Sequence, residues 1–183
     1  MYLSKRVQQL KASPIRRLNV YAEEAAKRGI KIHHLNIGQP DIETPKVFFD
    51  AIANCNMKTV KYEHSRGTKE LIRKIQAYYE RLGLHYEEDE IIITNGGSEA
   101  ILLSLIAIFD EGDEMLVSEP YYANYNSFYD ILNIKRNIIR TYAEDGFHLP
   151  SREIIEKSIT KKLRGIYFQI LQILLGLYLQ KEN

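Results

Sequence analysis

The chain has 183 residues, 45% hydrophobic and 27% charged, a composition that suits one globular core or at most two small domains and is unlike that of a disordered segment. Its 25 basic and 24 acidic residues leave a net charge of +1, too little to draw in nucleic acid or an anionic membrane, so small molecules and protein partners are the expected ligands. The single cysteine, Cys55, excludes a disulfide framework and a cysteine-rich metal centre and fits a reducing compartment. The opening MYLSKRVQQL lacks an apolar run of signal-peptide length, so a cytoplasmic location is expected.

In chain order, Ser13 and Pro14 start a first helix whose apolar positions Ile15, Leu18, Tyr21, Ala22, Ala25 and Ala26 share a face up to Gly29. HHLNIG, residues 33–38, reads as a short strand entering the turn-rich GQPDIETP. Helices are expected at 45–56 and 68–82, followed by a strand at 90–94 in the run EIIIT. From there the pattern alternates: helix 98–109, strand 114–118, helix 122–132, strand 134–140, helix 151–159 and strand 164–168. Such alternation predicts an α/β fold with a largely parallel sheet, whose ligands sit beyond the carboxyl ends of the strands. The apolar run at 166–179 falls short of the roughly 20 residues a spanning helix needs and carries two glutamines, so no membrane anchor is expected.

The sharpest chemical signal is TNGGSEA, residues 94–100, where a strand ends in two glycines and a helix opens at Ser98. Unpaired N–H groups and the helix dipole make such a start a phosphate cradle, and glycines let backbone approach the anion. No Gly-Lys-Ser/Thr follows, so it is not a Walker loop, and by itself the same turn could serve packing alone. The five histidines show no ligand spacing, and His33 and His34 would point to opposite faces of a strand, so no metal is expected.

Four segments then occur in order: NIGQPDIETP (36–45), KYEHSRGTKELIRKIQAYY (61–79), TNGGSEAI (94–101) and DEGDEMLVSEPYYANY (110–125). Together they resemble the class I/II, aspartate-aminotransferase-like family of pyridoxal-phosphate enzymes, over about residues 1–168. The resemblance implies the N-terminal portion of the fold-type-I large domain, with residues 1–44 as N-terminal arm and small-domain segment, 45–168 as the front of the cofactor-binding domain, and 169–183 as an aberrant tail. It implies pyridoxal 5′-phosphate as cofactor, an amino acid and a 2-oxo acid as substrates, and a homodimer. It gives Gly97, Ser98 and Glu99 to the cofactor phosphate and Tyr122 to stacking on the pyridine ring. Tyr62 reaches the phosphate of the neighbouring subunit, and Gly38 offers backbone to the substrate carboxylate. Without the family, Tyr122 reads as a core aromatic, Tyr62 as a surface tyrosine near a turn and Gly38 as a turn glycine before Pro40. Arg66 and Lys69 read as a solvated helix start.

The family's Schiff-base lysine, its aspartate for the ring nitrogen and its carboxylate-binding arginine follow an NPxNPTG motif that this sequence does not contain, so no catalytic residue is assigned and inactivity of the chain alone is expected. After Phe168 the chain reads QILQILLG where SNPxNPTG would stand. Gln, Ile, Leu and Gly codons begin CA, AT, CT and GG. With one T added after the Phe168 codon, those bases can spell Ser-Asn-Pro-Pro-Asn-Pro-Thr-Gly, so a one-base frame change is expected there. Two other readings compete: a non-catalytic binding or interaction protein that keeps the family's dimer surface or phosphate cradle, and a Rossmann nucleotide or methyl-donor binder, which leaves PYYANY unexplained.

Overall fold

The computed structural model describes residues 2–10, 18–35, 38, 40–168, 171–172 and 177–178. Chain contacts divide it into two compact units, residues 32–101 and residues 1–31 with 102–183.

In the unit of residues 32–101, helix α3 (Lys46–Ala53) follows Pro45, and helix α4 (Lys69–Glu80) is opened by Thr68, whose hydroxyl accepts from the Leu71 N–H at 3.2 Å. The amphipathic pattern of α4 turns Ile72 inward. A single 3₁₀ turn, Glu88–Glu90, is fastened to α4 by Arg73, which donates to Glu88 at 2.7 Å. The expected strand at 90–94 does not form a ladder: Glu90 ends the 3₁₀ turn, Ile91 is extended, and the Ile93 N–H donates to the Arg66 carbonyl, in a loop. A run of β-branched residues favours an extended backbone and says nothing of a neighbouring edge, and no strand among the described residues pairs with this one. The same loop sets Gly67 at φ +100, and a β-carbon there would run into the Ile93 side chain. The expected strand at 33–38 also fails: residues 33–35 and 38 form no ladder, and Asn36 and Ile37 lie outside the described residues.

The other unit begins with α1 (Lys5–Gln9), which the sequence reading did not anticipate; Ser4 caps it by accepting from the Val7 N–H. Helix α2 (Asn19–Lys27) is the end of the first expected helix, whose start at Ser13 and Pro14 lies outside the described residues. Helix α5 (Gly97–Ile108) leads into strand β1 (Glu114–Glu119), helix α6 (Tyr125–Leu132), strand β2 (Lys135–Arg140), helix α7 (Arg152–Lys157) and strand β3 (Leu163–Tyr167). The sheet order is β2-β1-β3, with both pairs parallel as the alternation predicts. Central β1 is buried along Met115, Leu116, Val117 and Ser118, as a parallel strand covered on both faces must be. Tyr129, Ile134 and Ile139 complete the core around it. Helix α6 starts at Tyr125, not 122, because residues 122–124 form successive turns in which the carbonyls of Tyr122, Ala123 and Asn124 accept from the N–H three residues on. Beyond Phe168, β4 (Leu171–Gln172) and β5 (Leu177–Tyr178) pair antiparallel, and the rest of the expected tail lies outside the described residues. No helix among the described residues is long and apolar enough to cross a membrane.

Candidate functional site

The start of α5 is built by a tight turn. The Gly96 N–H and the Thr94 hydroxyl donate within the turn, to the carbonyls of Thr94 and Gly96 respectively, and Gly96 takes φ +85, a conformation that disfavours any side chain. The first helical bond is made by Ala100 to the Gly96 carbonyl, so the N–H groups of Gly97, Ser98 and Glu99 have no acceptor among the described residues. Residues 96–98 are exposed, and a β-carbon on either glycine would meet nothing within 4 Å. The Glu99 carboxylate turns back to accept from the Asn95 N–H at 2.6 Å, closing the turn. What remains is an uncapped helix end with three free donors and room for an oxyanion.

Tyr122 lies at the carboxyl end of β1, beyond the cis Glu119–Pro120 peptide, and is half-buried. Its hydroxyl accepts from the Asn124 amide at 2.7 Å. Tyr125 meets the Tyr122 ring edge-on, with centroids 5.2 Å apart and planes at 89°, and itself stacks on Phe128 at 6.2 Å and stands edge-on to Tyr167, at the end of β3, at 5.6 Å. A second brace runs from β2: Arg136 donates to Asn126, at both its backbone and side-chain oxygens, and pairs with Asp130 at 2.8 Å, while the Tyr121 hydroxyl donates to the same Asn126 side chain. Burial pushes the Tyr129 hydroxyl up to about 12 and raises Tyr121. Burial, followed by a hydrogen bond to Tyr125, also raises Tyr167. These three rings therefore stay neutral at ordinary pH. The ends of β1 and β3 thus carry an aromatic ledge that includes half-buried Tyr122.

Tyr62 is fully exposed in the loop between α3 and α4, Gly38 is exposed with open space around it, and Lys69 is exposed at the start of α4 beside half-buried Arg66. Sequence reasoning passed over Asn124, Tyr125 and Tyr167. Tyr125 had a usable signal, three residues beyond Tyr122 and so on the same side of a helical turn, whereas Tyr167 reaches the ledge only through the strand register. A separate cleft of about 530 Å³, lined by residues including Arg6, Phe109, Asp110, Glu111, Asp130 and Asn133, contains none of the cofactor or substrate residues that the resemblance names.

Residues 30–169 match the family model described as aminotransferase class I and II. Among curated relatives, a (5-formylfuran-3-yl)methyl phosphate transaminase of Methanocaldococcus jannaschii is 35% identical over 73% of this chain and 36% of its own length. An aspartate/prephenate aminotransferase of Thermus thermophilus is 32% identical over 90% of this chain and 43% of its own. Among solved structures, an alanine aminotransferase from Pyrococcus furiosus superposes with a TM-score of 0.87 at 29% identity, covering 99% of this chain and 47% of that one. A double mutant of Thermus thermophilus aspartate aminotransferase gives 0.86 at 30% identity, covering 94% and 46%. The chain thus spans less than half the length of these relatives.

Proposed function

This chain belongs to the class I and II aminotransferase family, and from that premise we propose that it carries the phosphate-holding and ring-stacking parts of a pyridoxal-phosphate site. The observation that carries the reading is the exposed start of α5, where two glycines face open space and three N–H groups find no acceptor among the described residues, at the positions the family gives to phosphate. An anion there gains both hydrogen bonds and the helix dipole. Glu99 contributes its N–H, since its carboxylate is engaged by Asn95. Tyr122 offers a braced aromatic face to a flat heteroaromatic ring. Gly38 offers backbone to the substrate carboxylate, and exposed Tyr62 serves the neighbouring subunit of a homodimer. Pyridoxal phosphate, when bound, supplies the electron-sink ring for moving an amino group between an amino acid and a 2-oxo acid.

No lysine, aspartate or arginine of this sequence matches the family's catalytic positions, so a polypeptide of these 183 residues binds without turning over. Pyridoxamine 5′-phosphate is the suitable probe, because it cannot condense with surface lysines. Its fluorescence anisotropy should rise saturably with added protein and fall again with inorganic phosphate. Material freed of host aminotransferases should transfer no amino group from aspartate, aromatic or aliphatic donors. Absence of saturable binding contradicts the cofactor reading, and turnover contradicts the assignment of inactivity.

A further inference from the structure

The ring that stacks on a cofactor must present its face at a fixed tilt, and an isolated tyrosine in a loop does not do so. Tyr122 follows β1 in a segment of turns that precedes the first residue of α6, so its backbone alone leaves the ring free to rotate. Two contacts remove that freedom. Asn124 occupies the N-cap position of α6 yet makes no side-chain cap bond there; its amide is spent on the Tyr122 hydroxyl instead. Tyr125 places its ring perpendicular to that of Tyr122, the arrangement favoured by aromatic quadrupoles, so that one face of Tyr122 need not be covered. Tyr125 is in turn fixed from two elements, by Phe128 within α6 and by Tyr167 at the end of β3. The ring chain therefore runs from the sheet, through the helix, to the outermost aromatic.

We propose that Tyr125 is a positioning residue that sets the tilt of the Tyr122 ring through their edge-to-face contact, with the Asn124 amide fixing the hydroxyl end. This rests on the assignment of Tyr122 to ring stacking. Tyr125 acts only through Tyr122, and it touches Tyr122 by its ring, its hydroxyl being hydrogen-bonded to Tyr167.

The test compares Tyr125→Leu with Tyr125→Phe, each in the wild-type and Tyr122→Leu backgrounds. In the wild-type background, Tyr125→Leu should weaken pyridoxamine 5′-phosphate about fivefold, and Tyr125→Phe should keep wild-type affinity. In the Tyr122→Leu background, Tyr125→Leu should add no further loss, which a general loosening of the fold would not reproduce. Equal losses in both backgrounds, no loss with leucine, or the same loss with phenylalanine would each overturn the proposal. If the wild-type chain binds no probe, the cofactor reading fails, and the positioning claim is decided separately by NMR. Tyr122 ring-proton shifts, displaced by the neighbouring ring current, should move toward free-tyrosine values in Tyr125→Leu and stay in place in Tyr125→Phe. Shifts unchanged in the leucine variant, or displaced equally in both, would overturn it without reference to any ligand.

Discussion

Glu114 shows how much one side chain at the start of β1 can organise. Its carboxylate accepts from Thr160 at 2.5 Å and from Asn137 on β2 at 2.9 Å, while its own N–H donates to the Lys162 carbonyl just before β3. The hydrogen bonds from Thr160 and Asn137 hold its pKa below the ordinary 4.5 against a small opposing effect of burial. A folded-state pKa below the unfolded value means that the stabilisation is fully present above about pH 4.5 and is lost as pH falls through the lower folded value. Glu114→Gln should therefore abolish one component of acid destabilisation: urea midpoints of wild type and variant should converge as pH falls below that range. Midpoints separated by a constant amount at every pH would contradict the assignment. At this scale the open glycine turn and helix start were legible in the sequence, because Gly96, Gly97 and Ser98 are contiguous and their backbone preferences are local. Of the rings behind Tyr122, Tyr125 was signalled by its three-residue spacing, but Tyr167 was not, since which residue of β3 arrives beside Tyr125 depends on strand register.

Among the elements, α4 is the one most completely specified by its own sequence. Thr68 supplies an acceptor for the Leu71 N–H, Glu70 sits favourably in the first turn, and the amphipathic spacing turns Ile72 inward. Thr68→Ala should cost about 1 kcal/mol and show as faster amide exchange at Leu71 and through the first turn of α4, with exchange in β1 unchanged. Unaltered exchange at Leu71 would show that the cap contributes nothing. The same local logic located α3, α5, α7 and the three parallel strands to within a few residues. It failed at residues 90–94, where Ile91, Ile92 and Ile93 read as a buried strand yet form no ladder, the Ile93 N–H donating to the Arg66 carbonyl in a loop. Strand propensity is a statement about fit to a half-buried pleated surface, and that surface belongs to a neighbour the local sequence does not name. Helix α6 began late for a local reason, since the turns of residues 122–124 precede it and Tyr122 is held by Asn124 and Tyr125, two and three residues on.

At the scale of the molecule, sequence alternation implied parallel strands but not their order; the β2-β1-β3 arrangement follows from crossovers that no residue pattern encodes. Much apolar surface is left open. Helix α5 is apolar nearly all round, a pattern suited to burial on more than one face, yet Leu103, Ile106 and Ile108 are exposed, as are Val47, Phe48, Phe49 and Ile52 on α3. The central claim, that this portion carries the cofactor's phosphate cradle, is tested most directly at Gly97. A side chain there meets open space and the backbone is unstrained, so Gly97→Asp should fold, its carboxylate even favouring the helix start. The decisive measurement is the anisotropy titration of pyridoxamine 5′-phosphate against wild type, Gly97→Ala and Gly97→Asp. The account predicts saturable binding by wild type, retained in substantial part by the alanine variant and lost in the aspartate variant, where a fixed negative charge occupies the anion's place. Equal binding by wild type and Gly97→Asp would contradict it.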